Sequence, residues 1–167
     1  LEPAALIASA EASLTRLGTD RVDLLLIHWP NPEIALEATI PALCEARRRG
    51  LTRHIGVSNF PPRLLEKAIA LADAPLVADQ CEYHPRLDQG ELLGTCRKNG
   101  VAFVSYGPLG SGTLLADPVI GRIAGAKGRT PGQVILRWHL QQGVVAIPRS
   151  SNPGRIAQNI QITDFSL

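Results

Sequence analysis

Methionine is absent from the 167 residues, cysteine occurs three times, and aromatic residues make up only 4%. Cys44, Cys81 and Cys96 are odd in number, widely spaced and contain no Cys-x-x-Cys pair, which argues against a disulfide framework and for reduced thiols in a cytoplasmic protein. No apolar run is long enough to span a bilayer, and no signal peptide or low-complexity tract is visible, so no membrane partner is expected. Charge is scarce too. A formal charge of +2, with no basic cluster beyond Arg47-Arg48-Arg49 at a predicted helix end, gives no footprint for nucleic acid and reads as a solvated cationic cap. Because methionine is missing even at position 1, Leu1 is not expected to be the natural start, and further chain is expected upstream.

What is present is a repeating pattern, and its centre is Val22-Asp23-Leu24-Leu25-Leu26-Ile27-His28-Trp29-Pro30. The run is aliphatic but for Asp23, as suits a strand covered on both faces in a parallel sheet. Pro30 cannot donate to a sheet ladder and biases Trp29 toward extended backbone, so His28 and Trp29 fall at the strand's carboxyl end. Around this strand the spacing predicts helix over 3–17, closed by Gly18, and a second helix through Leu36, Ile40 and Leu43, with Pro41 inside it as a point of kinking or early ending. Further strands are predicted at 54–58, 76–80, 101–106 and 144–147. Helices follow after Pro61, after Asp88, through Val119, Ile120 and Ile123, from Thr130-Pro131-Gly132-Gln133, and from Asn152-Pro153.

Five strand-then-helix units in succession predict an α/β fold with a parallel sheet and right-handed crossovers in one domain over 1–167. Two architectures fit. An open doubly wound sheet needs only five strands, whereas a closed (β/α)8 barrel takes about 250 residues and would be incomplete at this length. The leading helix, with no strand before it, favours a TIM barrel of which five consecutive units are present.

Aligned strands would put His28 and Trp29, Ser58 and Asn59, Gln80 and Glu82, Tyr106, and Arg149 and Ser150 on one rim, where parallel α/β folds bind ligands. Tyr106 can serve there as a ring platform or as a proton donor. In Pro148-Arg149-Ser150-Ser151-Asn152-Pro153-Gly154-Arg155, guanidinium groups and hydroxyls meet the positive end of a capped helix, a combination suited to an anion such as phosphate. Cys81 and His84 lack a second pair of ligands for a metal, so none is expected. His139 lies in a helical apolar pattern and reads as packing or surface. The segment from Gly107 to Gly112 is neither a Gly-x-Gly-x-x-Gly turn nor a P-loop.

The motifs VDLLLIHWP, IGVSNF, DQCEYHP, SYGPLGSG and IPRSSNPGRIAQN stand in the order and spacing of the aldo-keto reductase superfamily, and the chain resembles most the bacterial branch similar to 2,5-diketo-D-gluconate reductases. The resemblance covers about Leu6 to Leu167. It implies a (β/α)8 barrel truncated at both ends, and NADPH-dependent reduction of an aldehyde or ketone in the complete protein. By resemblance His28 is the catalytic histidine that orients the carbonyl, and Trp29 a wall of the substrate pocket. Ser58, Asn59 and Gln80 hydrogen-bond the nicotinamide carboxamide, and Tyr106 stacks on its ring. Leu109 and Ser111 belong to the loop over the pyrophosphate. Arg149, Ser150 and Arg155 take the adenosine 2′-phosphate, while Gln158 and Asn159 contact the adenine. Two guanidinium groups favour NADPH over NADH.

Two departures stand out: Arg149 replaces a usual lysine, and Gly107 a common serine. The family's proton-donating tyrosine, its lysine and its aspartate belong to three earlier strand-helix units that this sequence does not contain. The implied partner is a small carbonyl substrate, and the implied oligomeric state a monomer. A different class remains open, a cofactor-binding module that senses or regulates without turnover; an aldolase- or isomerase-like phosphate barrel would need a barrel-strand lysine or metal ligands. The 167 residues alone, with open sheet edges and no proton donor, are expected neither to fold stably nor to reduce a carbonyl. Cooperative unfolding together with NADPH oxidation by the isolated chain would refute that expectation.

Overall fold

The computed structural model describes residues 2–167, and what was expected of Leu1 lies outside them. By its contacts the chain divides into two units, one of Leu1–Asp79 with Glu91–Ala102 and one of Gln80–Gly90 with Phe103–Leu167. Five strands follow one another in a sheet in chain order, within an α/β fold.

In the first unit, helix α1 (Pro3–Leu17) starts on the preset φ of proline and stops at Gly18, whose φ of +66° lets its N–H reach Thr15 O at 3.2 Å. Strand β1 (Val22–Ile27) pairs in parallel with β2 (Thr52–Ser58), Val22 opposite Thr52 and Ile27 opposite Val57. Helix α2 (Leu36–Arg48) joins them. It packs on α1, on β2 and on α3 (Pro62–Leu71). Helix α2 runs through Pro41 rather than ending there, so the missing amide costs one bond early in the helix while Ile40 and Leu43 remain in the core at 0% and 1% exposure. Buried apolar side chains prevail over local propensity at that point.

The arginine triplet lies exposed at the end of α2, a solvated cationic cap whose members also form ion pairs. Arg48 and Arg49 both pair with Glu45, one turn earlier, Arg48 also pairs with Asp73, and Arg47 donates to Arg53 O at 3.2 Å. Helix α4 (Gly90–Lys98) follows the Asp88 side chain, which accepts from Gly90 N–H at 2.8 Å, and buries Leu92, Leu93 and Cys96. Cys44, Cys81 and Cys96 are all buried, and none of them forms a disulfide. Burial, with a smaller effect of the Asp79 charge, pushes the Cys96 thiol up to about 12, which keeps it an inert core group.

Strand β3 (Leu76–Glu82) contributes its last three residues to the second unit, two beyond the expected end at Gln80. There β4 (Ala102–Tyr106) pairs in parallel with β5, Val104 opposite Val145 and Ser105 opposite Ala146. Strand β5 is shorter than expected, Val145–Ala146 alone, although Ile147 N–H still reaches Ser105 O at 3.0 Å. Beyond it Pro148 cannot extend the ladder. The glycine-rich loop carries a 3₁₀ segment, Gly110–Ala116, ahead of α5 (Pro118–Lys127), which Asp117 caps through Val119 and Ile120. Helix α6 (Pro131–Gln141) opens on the reciprocal Thr130–Gln133 capping box and packs on α5, β5 and α7 (Pro153–Ile160). Leu114, Ile120, Ala124, Val134 and Ile135 form a core cluster.

His139 of α6 is fully buried. Its Nδ1 lies 2.8 Å from Ile135 O and its Nε2 3.0 Å from Tyr83 O, while Ser105 Oγ donates to the same Tyr83 carbonyl at 2.8 Å. Burial lowers its pKa, and the imidazole serves as an internal tie that fixes the chain just after β3.

Gly56 is the tightest point of the first unit. A Cβ there would lie 2.6 Å from Ala78 O and 2.8 Å from Leu26 Cδ2. Gly56→Ala should therefore destabilise the protein by about 1–3 kcal/mol through overpacking. Gly94→Ala, in open helical space, should stabilise it by up to about 1 kcal/mol. Urea unfolding of the two variants reads the contrast, and equal midpoints would refute it.

Candidate active site

In the first unit, β1 stops at Ile27 and leaves His28 and Trp29 exposed, Trp29 at 60%, with ring centroids 6.4 Å apart and planes inclined at 55°. Strand β2 stops at Ser58, buried to 2%, and Asn59 then adopts φ +64°. Few residues tolerate that left-handed conformation, and asparagine is one of them because its short amide can bond locally. Here Asn59 Nδ2 donates to His28 O at 2.9 Å and to Ser58 Oγ at 3.1 Å. One side chain thus ties the segment bearing the imidazole to the end of the neighbouring strand. A cavity of about 300 Å³ opens beside it, with His28, Trp29, Leu25 and Ile27 on one side and Leu6 and Ser9 of α1 on the other.

The second unit holds the remaining candidates. Gln80 is half-buried in β3, and Tyr106 is half-buried at the end of β4. Burial first, and the Glu82 charge second, push the Tyr106 phenol above its ordinary pKa, with the Glu82 backbone amide opposing them. A phenol raised in this way stays protonated and uncharged. Glu82 Oε1 also lies 3.6 Å from His84 Nε2. The sequence reading placed Glu82 on the rim but gave it no part beside Tyr106, and only its place two residues after Gln80 on an alternating strand hinted at one. Leu109 packs against the core cluster, and Ser111 is exposed with φ +53°, between Gly110 at +54° and Gly112 at +88°.

After β5, Ser150 Oγ accepts from Asn152 N–H at 3.1 Å and Asn152 Oδ1 from Arg155 N–H at 3.0 Å, so the turn into α7 is built by its own polar groups. Arg149 and Arg155 remain exposed there, at the positive end of the helix. Gln158 is exposed and Asn159 half-buried on α7. Among the described residues no group of three or more histidine, cysteine, aspartate or glutamate side chains could hold a metal, and none of the helices is long and apolar enough to cross a membrane.

The profile of the aldo/keto reductase family matches residues 1–167. The chain belongs to that family. An aldo-keto reductase of Mycolicibacterium smegmatis is 47% identical over 164 residues, 98% of this chain and 60% of its own length. Methylglyoxal reductase DkgB of Escherichia coli O157:H7 is 42% identical over 165 residues, 97% of this chain and 62% of its own. Among solved structures, one assigned as a 2,5-diketo-D-gluconic acid reductase B superposes with a TM-score of 0.97 at 43% identity, over 99% of this chain and 59% of that one. The Bombyx mori aldo-keto reductase in complex with NADP gives 0.91 at 31% identity, over 99% and 60%. This family member therefore corresponds to about three-fifths of the relatives it matches, and the fold it shares with them is the (β/α)8 barrel, here a partial one.

The geometry at Asn59 separates two effects. Asn59→Gly keeps the backbone relaxed but removes the bonds to His28 O and Ser58 Oγ, and should destabilise by about 1–2 kcal/mol. Asn59→Ala adds the left-handed penalty and should lie about 1 kcal/mol lower still. Denaturation midpoints in that order support the assignment, whereas an alanine variant as stable as the glycine variant would remove the strain from it.

Proposed function

We propose that the protein carrying this chain reduces an aldehyde or ketone to an alcohol with NADPH. The observation that supports this most directly is the turn into α7, where Arg149 and Arg155 stand exposed at a capped helix start inside a family member. A fully charged phosphomonoester suits that donor set, whereas an unphosphorylated ribose would leave both guanidinium groups unmatched. The residues present thus fit the dinucleotide. Ser150 joins the two arginines at the 2′-phosphate, Gln158 and Asn159 take the adenine, and Leu109 and Ser111 cover the pyrophosphate. Ser58, Asn59 and Gln80 hold the carboxamide, and the neutral Tyr106 ring supports the nicotinamide face.

When bound, the reduced nicotinamide would supply a hydride to the carbonyl carbon, and the oxygen would take its proton from the family's tyrosine, carried elsewhere in the complete protein. His28 directs the carbonyl oxygen through its ring N–H, and Trp29 offers an apolar wall that excludes water from the substrate. The Asn59 bond to His28 O holds the backbone from which that ring projects. Small carbonyl compounds, including methylglyoxal and 2,5-diketo-D-gluconate, form the substrate class to assay.

Fluorescence titration should give tighter binding of NADPH than of NADH, and Arg155→Ala should weaken NADPH by about tenfold while leaving NADH nearly unchanged. His28→Gln should lower kcat for aldehyde-dependent NADPH oxidation by about a hundredfold with little change in NADPH affinity. Nucleotide quenching without turnover on any carbonyl would instead establish a binding module, and the absence of nucleotide binding would refute both.

A further inference from the structure

Helix α7 carries the proposed 2′-phosphate and adenine contacts, yet none of its residues is buried, and Ile156 and Ile160 are 50% and 75% exposed. Apolar burial therefore does not hold it in place. Its amino end is fixed by the Asn152 cap. Its carboxyl end has no basic side chain in the last turn to meet the terminal carbonyls. Such carbonyls require donors from elsewhere.

Gln161 N–H meets one of them, Gln158 O, at 3.1 Å, and the side chain of Gln133 supplies the further donors. The side chain belongs to α6, is 5% exposed, and uses both ends of its amide. Its Oε1 accepts from Thr130 N–H at 3.0 Å and from Thr130 Oγ1 at 3.3 Å, while its Nε2 donates to Gln158 O at 3.3 Å and to Gln161 O at 3.0 Å. One buried amide therefore closes the start of α6 and the end of α7 together. Arg137, one turn along α6, continues the strap through Nη1 to Ile162 O at 3.1 Å. We propose that Gln133 is a positioning residue for nucleotide recognition: by clamping the end of α7 it sets the orientation in which Arg155, Gln158 and Asn159 meet the 2′-phosphorylated adenosine. This rests on the reading of Arg149 and Arg155 given above.

The test uses Gln133→Glu in the protein that carries this chain. Glutamate preserves the acceptor toward Thr130 but sets a carboxylate oxygen against two carbonyls where a donor stood. Gln133→Met, similar in shape and uncharged, guards against a buried charge that prevents folding. Binding is followed with NADPH, with NADH and with 2′,5′-ADP. Both variants should weaken NADPH and 2′,5′-ADP by roughly tenfold and NADH by less than about threefold. At saturating NADPH, kcat should stay within about twofold, so that the loss falls on KM. Equal losses for NADPH and NADH, or no loss for either, would overturn the assignment, as would a fall in kcat at saturation. Wild-type protein that binds neither NADPH nor 2′,5′-ADP would overturn the reading of the arginines themselves, a distinct result.

Discussion

Parallel strand pairing is the constraint on which the other features rest. It forces a helical crossover between consecutive strands and collects the strand ends of one polarity at one side. In β1 and β2 that arrangement leaves His28 and Asn59 on adjacent ends, where a single side-chain bond of 2.9 Å can join them. In β4 and β5 it brings Tyr106 to one strand end and the approach to α7 to the next. Aliphatic residues set the strands, and the polar residues just beyond them are the ones to which the proposed function assigns the chemistry.

Much of this was legible because the signals are local. Pro3 with Gly18, Thr130 with Gln133, and Asn152 with Pro153 each mark a helix end through one residue's backbone preference, and the structure places helices at all three. The ends of β3 and β5 were not legible. Their lengths depend on ladder bonds to neighbouring strands, such as Ile147 N–H to Ser105 O, and those partners are distant in sequence. At Pro41 the sequence left an early helix end open for a related reason, since a proline's local cost says nothing of the buried Ile40 and Leu43 beside it. The arginine triplet was legible as a solvated cap, whereas its pair with Asp73 joins residues remote in the chain.

The candidate site shows the same division. Residue types and motif order identified His28, Trp29, Tyr106, Arg149 and Arg155 as worth inspecting, but their supports escaped notice. Asn59 was marked as a polar strand-end residue, whereas its left-handed backbone and its hold on His28 O belong to three-dimensional geometry. Gln133 read only as half of a capping box. Its other hydrogens point at carbonyls 25 and 28 residues away, a relation no local pattern encodes. His139 read as packing or surface and proves to be packing with both ring nitrogens engaged.

The two units hold their candidate residues by different physical means, and that difference bears on how binding and chemistry can vary. Around His28 the support is partly buried: a strand end, a buried Ser58 and one asparagine in a left-handed conformation. Displacing it costs core structure, so the imidazole's position is coupled to the stability of its unit. No residue of helix α7 is fully buried, Asn159 being half-buried, and the helix is held by an N-cap at one end and by Gln161 N–H and a borrowed amide at the other, each bond contributing on the order of 1 kcal/mol. Small changes there can shift the arginines without unfolding anything. Under the proposed function, nucleotide preference would therefore be the property most easily altered in this chain, while the orientation of the His28 ring would be bound to the integrity of the strands that carry it.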